Sequence, residues 1–419
     1  MSGWNSLALR NARVVAPDRI IDSSDLLIER GRIARICSAA ESVEAASSID
    51  LRGFTLYPGF IDVHIHGAIG VDTLKASAND LREVGRFLAS NGVTAWLPTL
   101  VPAAPEAYEQ AVAAVRTVIS ERLQPNPEAP EFRIQSGIPE AGKSSTEAGA
   151  RNAPHARVLG VHYEGPFVNT EQCGALHCEY FRTFANTAAL NTLPTIDLDR
   201  AVHMMTLAPE VEGGVELIKE LKRRGWIVSI GHTRADVEVL DQAFAAGACH
   251  MTHFMNAMSP LHHRALGAVG WGLSNQDVTF DLIADGIHID PAILRVLVRA
   301  KGSQRISLIS DAIAASGMGD GEYQIWGEKI SVKDGRTQNA RGSIAGSVIT
   351  MLEAVRMMRS LEVPENEVAR MAATNPAQLL RVDKDCGSIE EEKQADLVAL
   401  DERSNIRLTI IGGEIAYSN

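Results

Sequence analysis

The sequence predicts an α/β protein: a (β/α)8 TIM-type barrel carrying a small β-sandwich-like domain formed by both chain termini. Three observations support this. About eight apolar strand-like runs succeed one another through the middle of the chain, several of them preceded by an amphipathic stretch that ends in glycine, the pattern of parallel strands joined by helices. Eight such units in about 320 residues favour a closed barrel over an open sheet. The two ends read differently, as short alternating strands with tight turns. The expected limits are 1–55 with 385–419 for the β domain and 56–384 for the barrel.

Taken in order, "LALRNARVV" and "DLLIERGRIARIC" open the chain, with Arg30-Gly31 or Gly31-Arg32 as a hairpin turn. The first barrel strand is expected at 56–66. Asp80 and Glu83 resemble a capping box, Leu81, Val84, Phe87 and Leu88 make a helical stripe, and Asn91-Gly92 ends it before a strand at 93–98. Further strands are expected at 158–164, 202–207, 226–232, 248–253, 278–284 and 306–311. The helices "GVELIKELKRRG", "DVEVLDQAFAAG" and "DPAILRVLVRAKG" precede three of them, and Pro291 suits a first helical position. The stretch 124–156, rich in Pro, Gly, Ser and Glu, breaks the rhythm and is expected to be an inserted surface loop without chemistry of its own. The chain closes on "ADLVALDERSNIRLTIIGGEIAY", with Gly412-Gly413 as the turn.

Composition narrows the function. Hydrophobic content of 45% and charged content of 22% are those of an ordinary globular protein, and a net charge of -12 argues against nucleic acid or an anionic membrane as a partner. Five scattered cysteines without a CxxC pair make neither a disulfide framework nor a thiolate zinc site. With no signal-type segment and no long apolar run, the expectation is a soluble cytoplasmic protein.

In a barrel of this kind the functional residues collect at the C-terminal ends of the strands. His64 and His66 close the first strand, Glu164 the third, His232 the fifth, His253 the sixth and Asp311 the eighth. Side chains two apart on an extended strand point the same way, so His64 and His66 emerge together, either as a ligand pair or as polar residues at the start of a loop. Burying four imidazoles and two carboxylates at one rim without a partner costs several kcal/mol. One or two divalent metal ions are the economical partner, and nitrogen and oxygen donors without thiolate fit zinc, iron, manganese or cobalt. Arg264, in the basic cluster "PLHHRALG", suits phosphate binding or is simply solvated. His288, in "DGIHID", is a rim residue or a partner of Asp290. His162 and His250 are candidates to support the ligands from behind, and His203 reads as a satisfied strand residue.

These motifs, from "YPGFIDVHIHG" through "GPF", "TLAPE", "GHT", "THFMNAM", "ADGIHID", "SDA", "GSIAGS" and "ATNPA", resemble the amidohydrolase superfamily and, within it, the N-acetylglucosamine-6-phosphate deacetylase family. The resemblance implies Glu164, His232 and His253 as metal ligands and His64 with His66 as an additional pair for a second ion. It implies Asp311 as catalytic acid and base, and Asn256, Ala257 and His288 as sugar-phosphate contacts. Ala175 matches a contact near the sugar, and Ile344, Ala345 and Gly346 the backbone around the acetyl group. Arg264 matches an arginine reaching the phosphate from the neighbouring subunit of a homodimer. The implied reaction is deacetylation of a sugar phosphate in amino-sugar catabolism.

Two departures stand out. Leu176 takes a position where many members have a histidine that polarises the acetyl carbonyl, and His177 is displaced by one. Either His177 substitutes for it, or a second ion at His64 and His66 does the polarising. "SDAIAAS" also lacks the usual threonine beside the aspartate. The alternatives carried forward are the galactosamine epimer as substrate, a cyclic-amide hydrolase, disfavoured because Glu164 stands where a bridging lysine would, and a non-catalytic assembly protein on the same barrel.

Overall fold

The computed structural model describes residues 6–38, 43–123 and 154–419. Eight parallel strands form the barrel: β1 (Phe60–Ile65), β2 (Val93–Leu100), β3 (Gly160–Glu164), β4 (Val202–Leu207), β5 (Ile227–Ile230), β6 (His250–Met251), β7 (Thr279–Ile283) and β8 (Ile306–Ile309). Their ladders run in chain order from β1 to β8. β8 meets β1 through individual bonds: Ser310 Oγ donates to Asp62 Oδ2 at 2.5 Å, and the Asp311 N–H donates to the His64 carbonyl at 2.9 Å. The barrel is therefore closed next to the residues expected to be functional.

The expected strands are all present, with instructive differences at their ends. The run 56–66 divides at Gly59, so that Thr55–Pro58 joins the terminal sheet and Phe60–Ile65 the barrel. A Cβ at Gly59 would lie 2.2 Å from the Thr94 side chain, so only glycine fits this crossing. The fifth, sixth and eighth strands stop before His232, His253 and Asp311, because these three residues take left-handed backbone (φ 49°, 34° and 50°) and leave the ladder. The first helix, Ala78–Ser90, is capped by Ser77 in a capping box with Asp80, one turn earlier than the expected Asp80–Glu83 pair. Pro291 does open its helix, with Asp290 as the cap. The expected loop at 124–156 lies outside the described residues except for its last three.

Both termini build one eight-stranded sheet. Ser6–Val15 pairs with Ile20–Glu29 on one side and with Ser47–Asp50 and Thr55–Pro58 on the other, and Thr55–Pro58 continues into Leu397–Leu400, Ile406–Ile411 and Glu414–Ser418. The turns are Arg30-Gly31 and Gly412-Gly413, both residues of each at positive φ, the backbone that two-residue hairpins need. Leu7, Leu9, Leu26, Ile28, Leu397 and Ile410 form its own core. A small three-stranded sheet, Gly321–Ile325, Glu328–Lys333 and Arg336–Gln338, follows β8. No helix among the described residues is long and apolar enough to cross a membrane.

Candidate metal centre and cavity

Two triads share one carboxylate at the C-terminal rim. Glu164, His232 and His253 form the first, and His64, His66 and Glu164 the second, all buried. Glu164 Oε1 lies 3.0 Å from Nε2 of both His232 and His253, and those two nitrogens are 3.1 Å apart. In the second triad the His64 and His66 Nε2 atoms are 3.1 Å apart, 3.5 and 3.4 Å from the Glu164 carboxylate. Donors held at about 2.1 Å by one ion sit about 3.0 to 3.4 Å from one another, which is the spacing found.

Tautomers make the same point. The ring of His232 lies with Nδ1 2.7 Å from the Gln172 carbonyl, so Nδ1 carries a proton and donates it. In the neutral ring Nε2 then offers a lone pair to a carboxylate oxygen, two acceptors face to face. Only a cation between them, or an extra proton, removes the conflict. His253 Nδ1 and His64 Nδ1 are buried without partners. With protons as the only cations available, the titration follows. Burial favours a neutral Glu164, but His64, His232 and His253 outweigh it and hold the carboxyl well below its ordinary range. Burial would lower His253, yet the bond to Glu164 pushes it up to about 9. His66 is likewise raised, because Asp311 and Glu164 overcome its burial. The site attracts positive charge, and its donors fit a divalent ion.

Asp311 stands beside both triads, its Oδ1 3.3 Å from Nε2 of His64 and of His66. Burial opposes its ionisation, but those imidazoles hold it well below the carboxylate range. Its carbonyl accepts the Ser347 N–H at 2.8 Å, which brings the loop containing Gly346 against the aspartate. A Cβ at Gly346 (φ 56°) would meet Ile313 Cγ2 at 2.6 Å and the Asp311 carbonyl at 2.9 Å, so a glycine is required for this approach.

The triads open into a cavity of about 290 Å³. Of the expected contacts, Ala175, Asn256, Ala257, His288, Ile344 and Gly346 all line it. Ala345 lies behind them, fully buried with Ile313 and Ala314. Arg264 is exposed and is not on the cavity wall of its own chain. His288 is fixed by Asp285, whose Oδ2 accepts Nδ1–H at 2.6 Å. Leu176 lines the cavity whereas His177 does not; its Nδ1 is 3.1 Å from Glu179 and its Nε2 3.9 Å from Glu328. The structure thus gives no support to His177 as a substitute.

Three residues were not anticipated. Asp281 on β7 is buried, accepts the His253 backbone N–H on one oxygen and binds His250 Nε2 at 2.9 Å on the other. Asp62 ties β1 to β8, and burial pushes it up to about 6. Both were legible as acids inside apolar strands. Trp326, at the tip of the small sheet, lines the cavity and meets His66 edge-on at 5.2 Å. The expected supporting roles fit His250, through Asp281, and His162, whose Nδ1 faces the Val63 carbonyl at 3.0 Å and Nε2 the Thr206 hydroxyl at 2.8 Å. His203 is satisfied, its Nε2 accepting the Ile196 N–H at 2.8 Å.

The sequence profile described as "Amidohydrolase family" matches residues 55–416. The chain belongs to the amidohydrolase family. This amidohydrolase is 32% identical to N-acetylglucosamine-6-phosphate deacetylase of Bacillus subtilis, over 98% of its own length and 97% of the relative's. It is 34% identical to N-acetylgalactosamine-6-phosphate deacetylase of Escherichia coli O157:H7, covering 97% of this chain and 98% of that one. Among solved structures, N-acetylglucosamine-6-phosphate deacetylase from Pasteurella multocida superposes with a TM-score of 0.84 at 28% identity, covering 99% of this amidohydrolase and 100% of that chain.

Proposed function

We propose that the protein is a metal-dependent deacetylase that hydrolyses N-acetyl-D-glucosamine 6-phosphate to D-glucosamine 6-phosphate and acetate. The observation that carries this is the meeting of the two buried triads and Asp311 with the cavity lined by Asn256, Ala257, His288 and Gly346. Full-length likeness to deacetylases of that substrate supports it.

A divalent ion held by Glu164, His232 and His253, with His64 and His66 able to hold a second, would supply the positive charge that brings the pKa of a water toward neutrality. Zinc, iron, manganese and cobalt suit these donors. Asp311 accepts the proton as the water attacks the acetyl carbonyl, and then returns it to the departing amine. Its position against both triads suits one carboxylate to both transfers. Asp285 sets the ring of His288 against the sugar, with Ala175, Asn256 and Ala257 beside it, while Ile344, Ala345 and Gly346 shape the acetyl end. In this reading Arg264 reaches the substrate phosphate of the partner subunit in a homodimer, and the barrel lies between two parts of the β domain, 1–58 and 385–419, its expected start at 56 moving to Phe60 because Thr55–Pro58 pairs within the terminal sheet. Five free cysteines agree with the reducing cytoplasm as its location.

The test is acetate release by the metal-analysed enzyme on three compounds: N-acetylglucosamine 6-phosphate, its galactosamine epimer and the unphosphorylated sugar. Preference for the first supports the proposal. Preference for the second, the alternative raised by the Escherichia coli relative, reassigns the substrate, and inactivity on all three removes the phosphate-sugar reading.

A further inference from the structure

We propose that a second cavity, at the foot of the barrel, binds a small phosphate ester. At about 390 Å³ it is larger than the 290 Å³ cavity at the metal centre. Val202 and Ile227, the first residues of β4 and β5, line it, so it lies at the N-terminal end of the strands, opposite the triads.

Its charge runs against that of the whole chain. Arg200, Arg224, Arg381 and Lys384 line it with a single acid, Asp385, in a protein of net charge -12. Asp385 is already engaged, by Arg200 at 3.0 Å and Arg32 at 3.2 Å. Arg381 gives Nη1 to the Gly225 carbonyl at 3.1 Å, and Arg224 gives Nε to Glu220 at 2.7 Å. Those bonds steady the two guanidinium groups and leave other N–H donors of each for a ligand. Lys384 has no ion-pair partner among the described residues. Arg200 and Arg381 both stand on left-handed backbone, φ 65° and 60°. Such conformations are unfavourable for a residue with a side chain and gather at ligand clamps.

The remainder of the wall is mostly apolar, with Val202, Ile227, Leu380 and Val382 beside His203 and Trp226. The His203 ring stacks on Trp226 at 5.1 Å, and Trp226 on Tyr163 at 5.7 Å. Forked cations beside an apolar wall fit a phosphate that carries an apolar substituent. None of these residues belongs to the metal centre or its cavity, so the site is independent of the deacetylase reading.

The test is calorimetric titration of the full chain with phenyl phosphate. The proteins compared are wild type, Arg264→Ala, Arg381→Ala and the double variant Arg381→Glu with Lys384→Glu. The expected result is binding that persists in Arg264→Ala and weakens roughly tenfold or more in the double variant, whose acetate release at saturating substrate equals that of wild type. Arg381→Ala is expected to weaken binding about threefold, which keeps the test open if the double variant does not fold. Equal affinity in wild type and Arg381→Ala, or no binding at about 10 mM ligand, overturns the site. Loss of binding in Arg264→Ala alone assigns the anion to the catalytic cavity and overturns it equally.

Discussion

Replacing Asp311 by asparagine separates the chemistry of the site from its architecture. The left-handed backbone at this position, φ 50°, is one that asparagine tolerates about as well as aspartate. The bonds that hold it are main-chain ones, N–H to the His64 carbonyl at 2.9 Å and carbonyl from the Ser347 N–H at 2.8 Å. Neither needs the carboxylate, so the variant is expected to fold. Nor is Asp311 a member of either triad, so bound metal should stay near the wild-type amount. What disappears is the group assigned to take a proton from water and return it to the amine. Proton transfer by a placed side chain is worth about 10²- to 10⁴-fold. Because both transfers depend on this carboxylate, kcat should fall by about 10³-fold or more, a barrier increase of about 4 kcal/mol. The assay is acetate release, with metal content and thermal midpoint measured on the same samples. A loss of less than about tenfold would refute the acid and base role; loss of metal together with activity would make Asp311 a ligand instead.

Other expectations follow from the same contacts. Asp281→Ala leaves the His253 N–H and the His250 ring without their buried acceptor, so stability should drop by about 3 to 5 kcal/mol and metal affinity by about 10- to 100-fold. Asp281→Asn, which keeps an acceptor, should lose less of both; urea unfolding and metal titration check this. Metal binding near pH 7.5 should release protons, because His253, at about 9, carries one in the ion-free site; calorimetry in buffers of different ionisation enthalpy would show no release if this is wrong. Lys301 is buried, donating to the Gly272 and Asn275 carbonyls, and its burial lowers it from 10.5 to about 8. The unfolded chain therefore binds the extra proton between pH 8 and 10.5, and stability from this group rises with pH across that window. Wild type should gain thermal midpoint over Lys301→Met from pH 8 to 10, and parallel pH profiles for the two would count against it.

The barrel was legible because its strands are buried on both faces and separated by helices that stop at glycine: all eight were found, with errors only at their ends. Those errors have one cause. His232, His253 and Asp311 were read as the last residues of strands because polar residues followed apolar runs, yet each turns out of the ladder on left-handed backbone, a local conformation that side-chain alternation does not encode. The triads were legible for a related reason, since polar residues at the ends of fully apolar strands have few places to go except a common centre. Asp62 and Asp281 stood in equally plain view, as acids within "GFIDVHIH" and "TFDLIA". They were missed because their partners, Ser310 just past β8 and His250 on β6, lie on other elements, and pairing across a barrel depends on register rather than on sequence distance. Leu176 shows what motif matching leaves open. The letters allowed His177 to replace a missing histidine, but its ring lies beside Glu179, and Leu176 is the residue on the cavity wall. In the proposed reaction, positive charge held at His64 and His66 would then polarise the acetyl carbonyl. It follows that replacing both with alanine should depress kcat far more than KM, whereas a pair serving only to bury polar surface would alter stability and leave the turnover of folded enzyme unchanged.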